Sequence, residues 1–132
     1  MAKVKLRMIL QSNREKVWKV ITDNSQFAWR SDLERIEVLD DCHFIEYAKN
    51  GIETRFTITA KESCTRYAFS MENRNMAGSW TGLLRETASG TEIDFTEEVK
   101  ARNLVMNLFV RLYLKKQQKQ YAVDLKRKLG EE

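Results

Sequence analysis

The chain has no proline, only five glycines, two cysteines and one histidine in 132 residues. Each shortage closes off a class of chemistry. Cys42 and Cys64 lie 22 residues apart with no paired spacing, which argues against a disulfide scaffold and suits reduced thiols in a cytosolic protein. His43 sits beside Cys42, but neighbours on a strand point to opposite faces, so the two cannot readily grip one metal. No metal and no cofactor is expected. The serines fall in caps and turns with no histidine at a recognisable spacing, and neither cysteine has a marked basic neighbourhood apart from Arg66. Scattered glycines leave no phosphate-binding loop. No apolar run approaches the ~20 residues of a membrane span, and no amino-terminal signal segment is present. These features predict one soluble, cytoplasmic domain over residues 1–132, long enough to bury a core without staples.

What the chain does have is charge, unevenly spread. The formal net charge is +4. From Lys100 to Leu129 there are nine Lys or Arg against a single acid, Asp124, while residues 1–99 are slightly acidic. A solvated helix face explains this, with Lys126, Arg127 and Lys128 meeting the negative end of a helix dipole. A nucleic-acid or anionic-membrane surface is the sharper alternative, but no aromatic interleaving or binding motif accompanies the cations. No nucleic-acid partner is expected.

Residues 103–129 contain neither glycine nor proline and end at Gly130, which predicts one long helix. Between Leu104 and Leu114 only Asn107 and Arg111 are polar, so this half is apolar nearly all the way round. Upstream, Val4, Leu6, Met8 and Leu10 alternate with polar residues as a half-buried strand. Ser12 and Glu15 have capping-box spacing and predict a helix through Val17, Trp18, Val20 and Ile21. A short second helix or turn is read at 26–30. Six strands follow over residues 31–101, joined by turns that include Asn50-Gly51, a hairpin signal requiring positive φ at both positions. Connections this short force antiparallel pairing. The expected architecture is α+β, with a curved antiparallel sheet closed by the last helix.

This pattern resembles the helix-grip fold of the START, Bet v 1 and polyketide-cyclase superfamily, also called SRPBCC proteins. The resemblance rests on SNREKVWKVITD at 12–23, WRSDLERIEVL at 29–39, GSWTGLL at 78–84 and GTEIDFTEEV at 90–99, in that order. It implies a seven-stranded sheet wrapped around the C-terminal helix, two short helices between the first two strands, and pairing of the first strand with the last. It also implies a cavity that commonly holds sterols, other lipids or polyketides.

Alternation directs Phe56, Ile58, Phe69, Trp80 and Phe95 to the concave face, and the helix seam adds Met106, Val110 and Leu114. These residues, with Glu97, are the candidate lining for a small hydrophobic ligand such as a lipid, sterol, quinone or polyketide. Glu97 shares the face of Ile93, Phe95 and Val99, and Glu46 sits between Phe44 and Ala48. Such inward carboxylates either anchor a ligand's polar group or act as general acid or base; a local bulge, or pairing with Arg55 or Arg85 near the mouth, is the structural alternative and is favoured. A binder is favoured over a cyclase-like enzyme. Val105, Leu108, Phe109 and Leu112 occupy the other side of the helix, where they either pack beneath the short helices or form a homodimer or client surface.

Overall fold

The computed structural model describes residues 1–131. Alternating side chains and tight turns fold the middle of the chain into β2 (Leu33–Val38), β3 (His43–Ala48), β4 (Glu53–Glu62), β5 (Arg66–Glu72), β6 (Met76–Thr87) and β7 (Gly90–Ala101). The first strand, β1 (Ala2–Leu10), crosses to the far edge and pairs antiparallel with β7 along its whole length. One antiparallel sheet results, in the order β1-β7-β6-β5-β4-β3-β2. Irregular pairing at Ile58/Ala60 in β4 and Leu33/Arg35 in β2 inserts bulges, which increase twist and bend.

Helix α1 (Arg14–Thr22) connects β1 to β2 and is the one helix between them. Its N-cap is Asn13, whose side chain accepts from the Lys16 amide at 2.8 Å, and not Ser12. The Ser12 hydroxyl and amide instead donate to the Glu131 carboxylate, which also accepts from the Gln11 amide. A tertiary acceptor has displaced the local capping box. The second helix or turn expected at 26–30 is a single turn, in which the Arg30 amide donates to the Phe27 carbonyl and the Trp29 indole to the Gln26 carbonyl. Five residues fix too many dihedrals for the hydrogen bonds they gain, so a lone helical turn is unfavourable there.

The hairpin after β3 also differs from expectation. Gly51 has φ +89°, but Asn50 is not left-handed; the turn begins at Lys49, and Gly51 donates to the Ala48 carbonyl. This is the three-residue connection, with glycine in the left-handed position. Asn50 contributes through its side chain, accepting from the Ile52 amide.

Helix α2 (Leu104–Leu129) lies across the concave face. Asn103 caps it by accepting from the Met106 amide, and Gly130 at φ +78° terminates it. Its inner seam is Met106, Val110, Leu114, Gln118, Tyr121, Leu125 and Leu129, spaced three or four residues apart. Two clusters anchor it. Val110 and Leu114 pack with Ala2, Val4, Val99 and Ala101, while Leu125 and Leu129 pack with Leu10, Val17, Ile21, Leu84, Ile93 and Phe95. No helix among the described residues is long and apolar enough to cross a membrane.

The only acid of α2, Asp124, is fully buried. It accepts from the Ser31 amide at 2.9 Å, the Ser31 hydroxyl at 2.8 Å, Gln120 at 2.9 Å and Arg127 at 2.8 Å. Burial alone would raise its pKa, but these donors outweigh that and hold it below the ordinary value. Asp124 therefore ties the loop before β2 to the helix. Asp124→Ala is expected to cost about 2–4 kcal/mol, because it strands a buried amide and hydroxyl. A carboxylate with a depressed folded-state pKa stabilises above its unfolded pKa and loses that contribution as pH falls. Chemical denaturation of both proteins should accordingly show the gap between them narrowing below about pH 4.

Candidate ligand cavity

Helix α2 makes its closest backbone approach to β1 and β7, so the β3–β6 half of the concave face is not roofed by a tightly packed helix. That half is paved with aromatic rings. Phe44 stacks on Phe56 at 4.7 Å, Phe56 meets Phe69 edge-on at 5.0 Å, Phe69 stacks on Trp80 at 4.9 Å, and Trp80 tilts against Phe95 at 4.8 Å. Strand pairing puts Phe44 opposite Phe56 and Phe69 opposite Trp80, while the Phe56–Phe69 and Trp80–Phe95 contacts are diagonal, since Phe56 pairs with Met71 and Phe95 with Gly82. Gly82 makes the pavement continuous. A Cβ there would come within 2.4 Å of the Trp80 ring, so the missing side chain is the space over which the indole lies. Between this floor and α2 is a partly open cavity of about 170 Å³.

Of the nine residues expected to line a ligand site, Phe56, Phe69, Trp80, Phe95, Glu97 and Leu114 border the cavity. Ile58, Met106 and Val110 do not. Val110 is consumed in the cluster around Val4, Met106 packs against that cluster, and Ile58 is half-buried two pairs beyond Phe56.

The polar groups of the cavity have a definite pattern. Arg30, from the loop before β2, enters one wall and holds Asp32 through Nε and Nη2, each at 3.0 Å, and Glu46 through Nη1 at 3.4 Å. Its guanidinium carbon lies 5.0 Å from the centre of the Tyr121 ring. Burial disfavours the cation, but Glu46 and Asp32 outweigh it and hold Arg30 above its ordinary pKa. Glu46 is pushed up by burial, which the Arg30 charge opposes. The expected pairing of the inward acids with Arg55 or Arg85 does not occur. Arg85 binds Glu92 at 2.8 Å on an exposed surface, and Arg55 is exposed. Both sit on the outward phase of their strands.

Glu97 stands apart. It lies opposite Val4 on one side and Trp80 on the other, and so faces inward with them. No described residue donates a hydrogen bond to it. Burial, reinforced by negative Glu46 and only partly offset by Arg30, pushes its carboxyl up to about 7. A half-buried group of this kind is an acceptor when ionised and a donor when protonated, and it changes between the two near neutral pH.

Tyr121, Tyr67, Asn24 and Gln117 are also among the polar residues that line the cavity. Burial raises the Tyr121 hydroxyl above its ordinary pKa, so it remains a neutral donor. Sequence reasoning placed Tyr121 on the helix seam but missed Arg30. The one local signal is Arg30 followed two residues later by Asp32, next to Trp29; its pairing with Glu46 depends on the loop's path. The other tryptophans are packing groups, with Trp18 against the core near α1 and Trp29 edge-on to Tyr121 at 5.3 Å. His43 is exposed, with Nδ1 2.8 Å from Asp40. Among the described residues no three His, Cys, Asp or Glu side chains are grouped as metal ligands.

These features define the helix-grip fold of START-like, SRPBCC proteins. A START superfamily protein from Mycobacterium smegmatis superposes with a TM-score of 0.89 over 97% of both chains, at 8% identity. A conserved protein from Geobacillus kaustophilus gives 0.79 at 12% identity, over 97% of this chain and 95% of that one. A protein of the dynemicin biosynthetic locus gives 0.77 at 13% identity, with 98% of this chain covering 48% of its length. No family model and no curated protein sequence matches the chain. The likeness lies in the fold alone.

Glu97 should leave a signature in stability. Its folded-state pKa is raised from an ordinary 4.5 to about 7, so the native state binds the extra proton between those values. Its contribution therefore falls as pH rises through that window and is constant above it, by about 3 kcal/mol in all. Glu97→Gln should flatten this part of the profile when unfolding is followed by denaturant titration from pH 4.5 to 8.

Proposed function

We propose that the protein binds a small, mostly apolar molecule between the aromatic floor and α2, with a polar group of that molecule paired to Glu97. The observation that carries this reading is an inward carboxyl without a protein hydrogen-bond partner, at the wall of an aromatic-lined cavity. Leaving such a group unpaired is costly, and a ligand hydroxyl or amide would satisfy it. The volume narrows the class. A space of about 170 Å³ is near that of an apolar cavity known to accept benzene, so it suits a one- or two-ring molecule, or the end of a longer lipid, quinone or polyketide entering through the open side. A whole sterol would need the floor or helix to move. In this reading the protein works in the cytoplasm, where the unpaired Cys42 and Cys64 stay reduced.

A second reading rests on the pKa of Glu97. A carboxyl near 7 is matched to general acid or base work at neutral pH, as a cyclase or hydrolase acting on a carbonyl would require. Binding without turnover is preferred, because Arg30 is already neutralised by Asp32 and Glu46 and offers no free cation to a developing oxyanion.

Native mass spectrometry with phenols, quinones, aromatic polyketides, fatty acids and sterols tests both readings. The expected result is a 1:1 complex with a ring compound bearing a hydroxyl, weakened about tenfold by Glu97→Gln. Absence of any complex across the panel would overturn the binding reading. Conversion of a bound compound, lost in Glu97→Gln without loss of binding, would assign the enzymatic one.

A further inference from the structure

The amino-terminal half of α2 is apolar on its outer side as well as its inner one, and nothing in the fold covers that outer side. Leu104, Val105, Leu108, Phe109 and Leu112 are all at least 60% exposed, with Leu104 at 85% and Leu108 at 77%. The expectation that they pack beneath the short helices fails, because α1 sits at the other end of α2, against Leu125 and Leu129. Five large apolar side chains on successive turns form a contiguous outward stripe.

The chemistry of its partner is marked by the cations that continue the same stripe. One turn beyond Leu112 come Lys115 and Lys116, then Lys119, all exposed and free of ion pairs among the described residues. From Lys100 to Val123 the chain carries six basic residues and no acid, and the first turn of α2 has no acidic residue. Among the described residues, Arg102 alone of these cations is neutralised, by Glu72 at 3.3 Å. A helix end that is apolar at its tip and ringed by cations one turn later matches the layering of an anionic bilayer, acyl chains below and charged headgroups above. A second copy of the chain fits less well, since pairing two such stripes brings lysines together with no exposed acid on either helix to meet them, Asp124 being buried.

We propose that this face of α2 docks on the surface of an anionic lipid bilayer, with Leu104, Leu108 and Leu112 entering the acyl boundary and Lys115, Lys116 and Lys119 at the headgroups. The helix dips its amino-terminal end into the membrane boundary and does not span the bilayer, because its inner seam remains packed on β1 and β7. Tyr113, adjacent to Leu112, borders the cavity, so docking sets one rim of the cavity against the bilayer. The face is separate from Glu97, and docking does not depend on what the cavity holds.

Co-sedimentation with vesicles tests this directly. The protein should pellet with phosphatidylcholine–phosphatidylserine vesicles and not with phosphatidylcholine alone, and binding should weaken several-fold between about 50 and 300 mM salt. The double substitution Leu108→Glu with Leu112→Glu should reduce binding at least tenfold, and Lys115→Gln with Lys116→Gln should do so by roughly tenfold. All four positions are exposed, so thermal unfolding should be nearly unchanged. Lack of phosphatidylserine-dependent binding, or binding indifferent to the leucine pair, would overturn the proposal. So would a dimer in analytical ultracentrifugation that Leu112→Asp dissociates, which would assign the face to a second copy.

Discussion

The structure depends on one covering problem. A seven-stranded sheet with a continuous apolar face must be shielded from water, and α2 is the only element long enough to do it. The helix meets this demand unevenly. It closes tightly over β1 and β7, through Val110 and Leu114 at one end and Leu125 and Leu129 at the other, and it leaves the rings on β3 to β6 facing open space. Cavity and core are thus two outcomes of the same packing. Asp124 and Glu131 hold this arrangement by tying the helix's far end to the loops on either side of α1. Neither carboxylate borders the cavity, and both are saturated with donors.

Electrostatics within the cavity are set by where compensation runs out. Arg30 brings one positive charge into a space with three acids close enough to feel it, and two of them take it up directly. Glu97 receives only the residual field, in which the negative charge of Glu46 outweighs the benefit of Arg30. The result is a carboxyl whose protonation is sensitive to anything that enters the cavity. A donor hydrogen-bonded to Glu97 would favour its ionised form, so ligand capture and proton release are physically linked at this position.

Much of the architecture was legible because it is written in local periodicities. Alternation marked the first strand, turn residues marked six strands over residues 31–101, and a run without glycine or proline ending at Gly130 marked α2. The misreadings share a cause: Ser12 was drawn away from its capping box by Glu131, 119 residues on, and Lys49 lengthened a turn whose Asn-Gly looked sufficient alone. At 26–30 the chain instead follows contacts made by Trp29, Arg30 and Ser31 with distant residues.

By itself the sequence determined which side chains alternate onto a shared face and that the first half of α2 is apolar on two sides. Those properties depend on strand and helix repeats a few residues long, and every register consistent with burial preserves them. Tertiary structure alone decided that Arg30 neutralises Glu46 and not Glu97, that Val110 and Met106 fill a core instead of lining the cavity, and that the outer stripe of α2 meets water. Each of these depends on the distance between segments far apart in the chain, and the charge and burial that govern a pKa or a surface arise only once the sheet has curved and the helix has settled on one side of it.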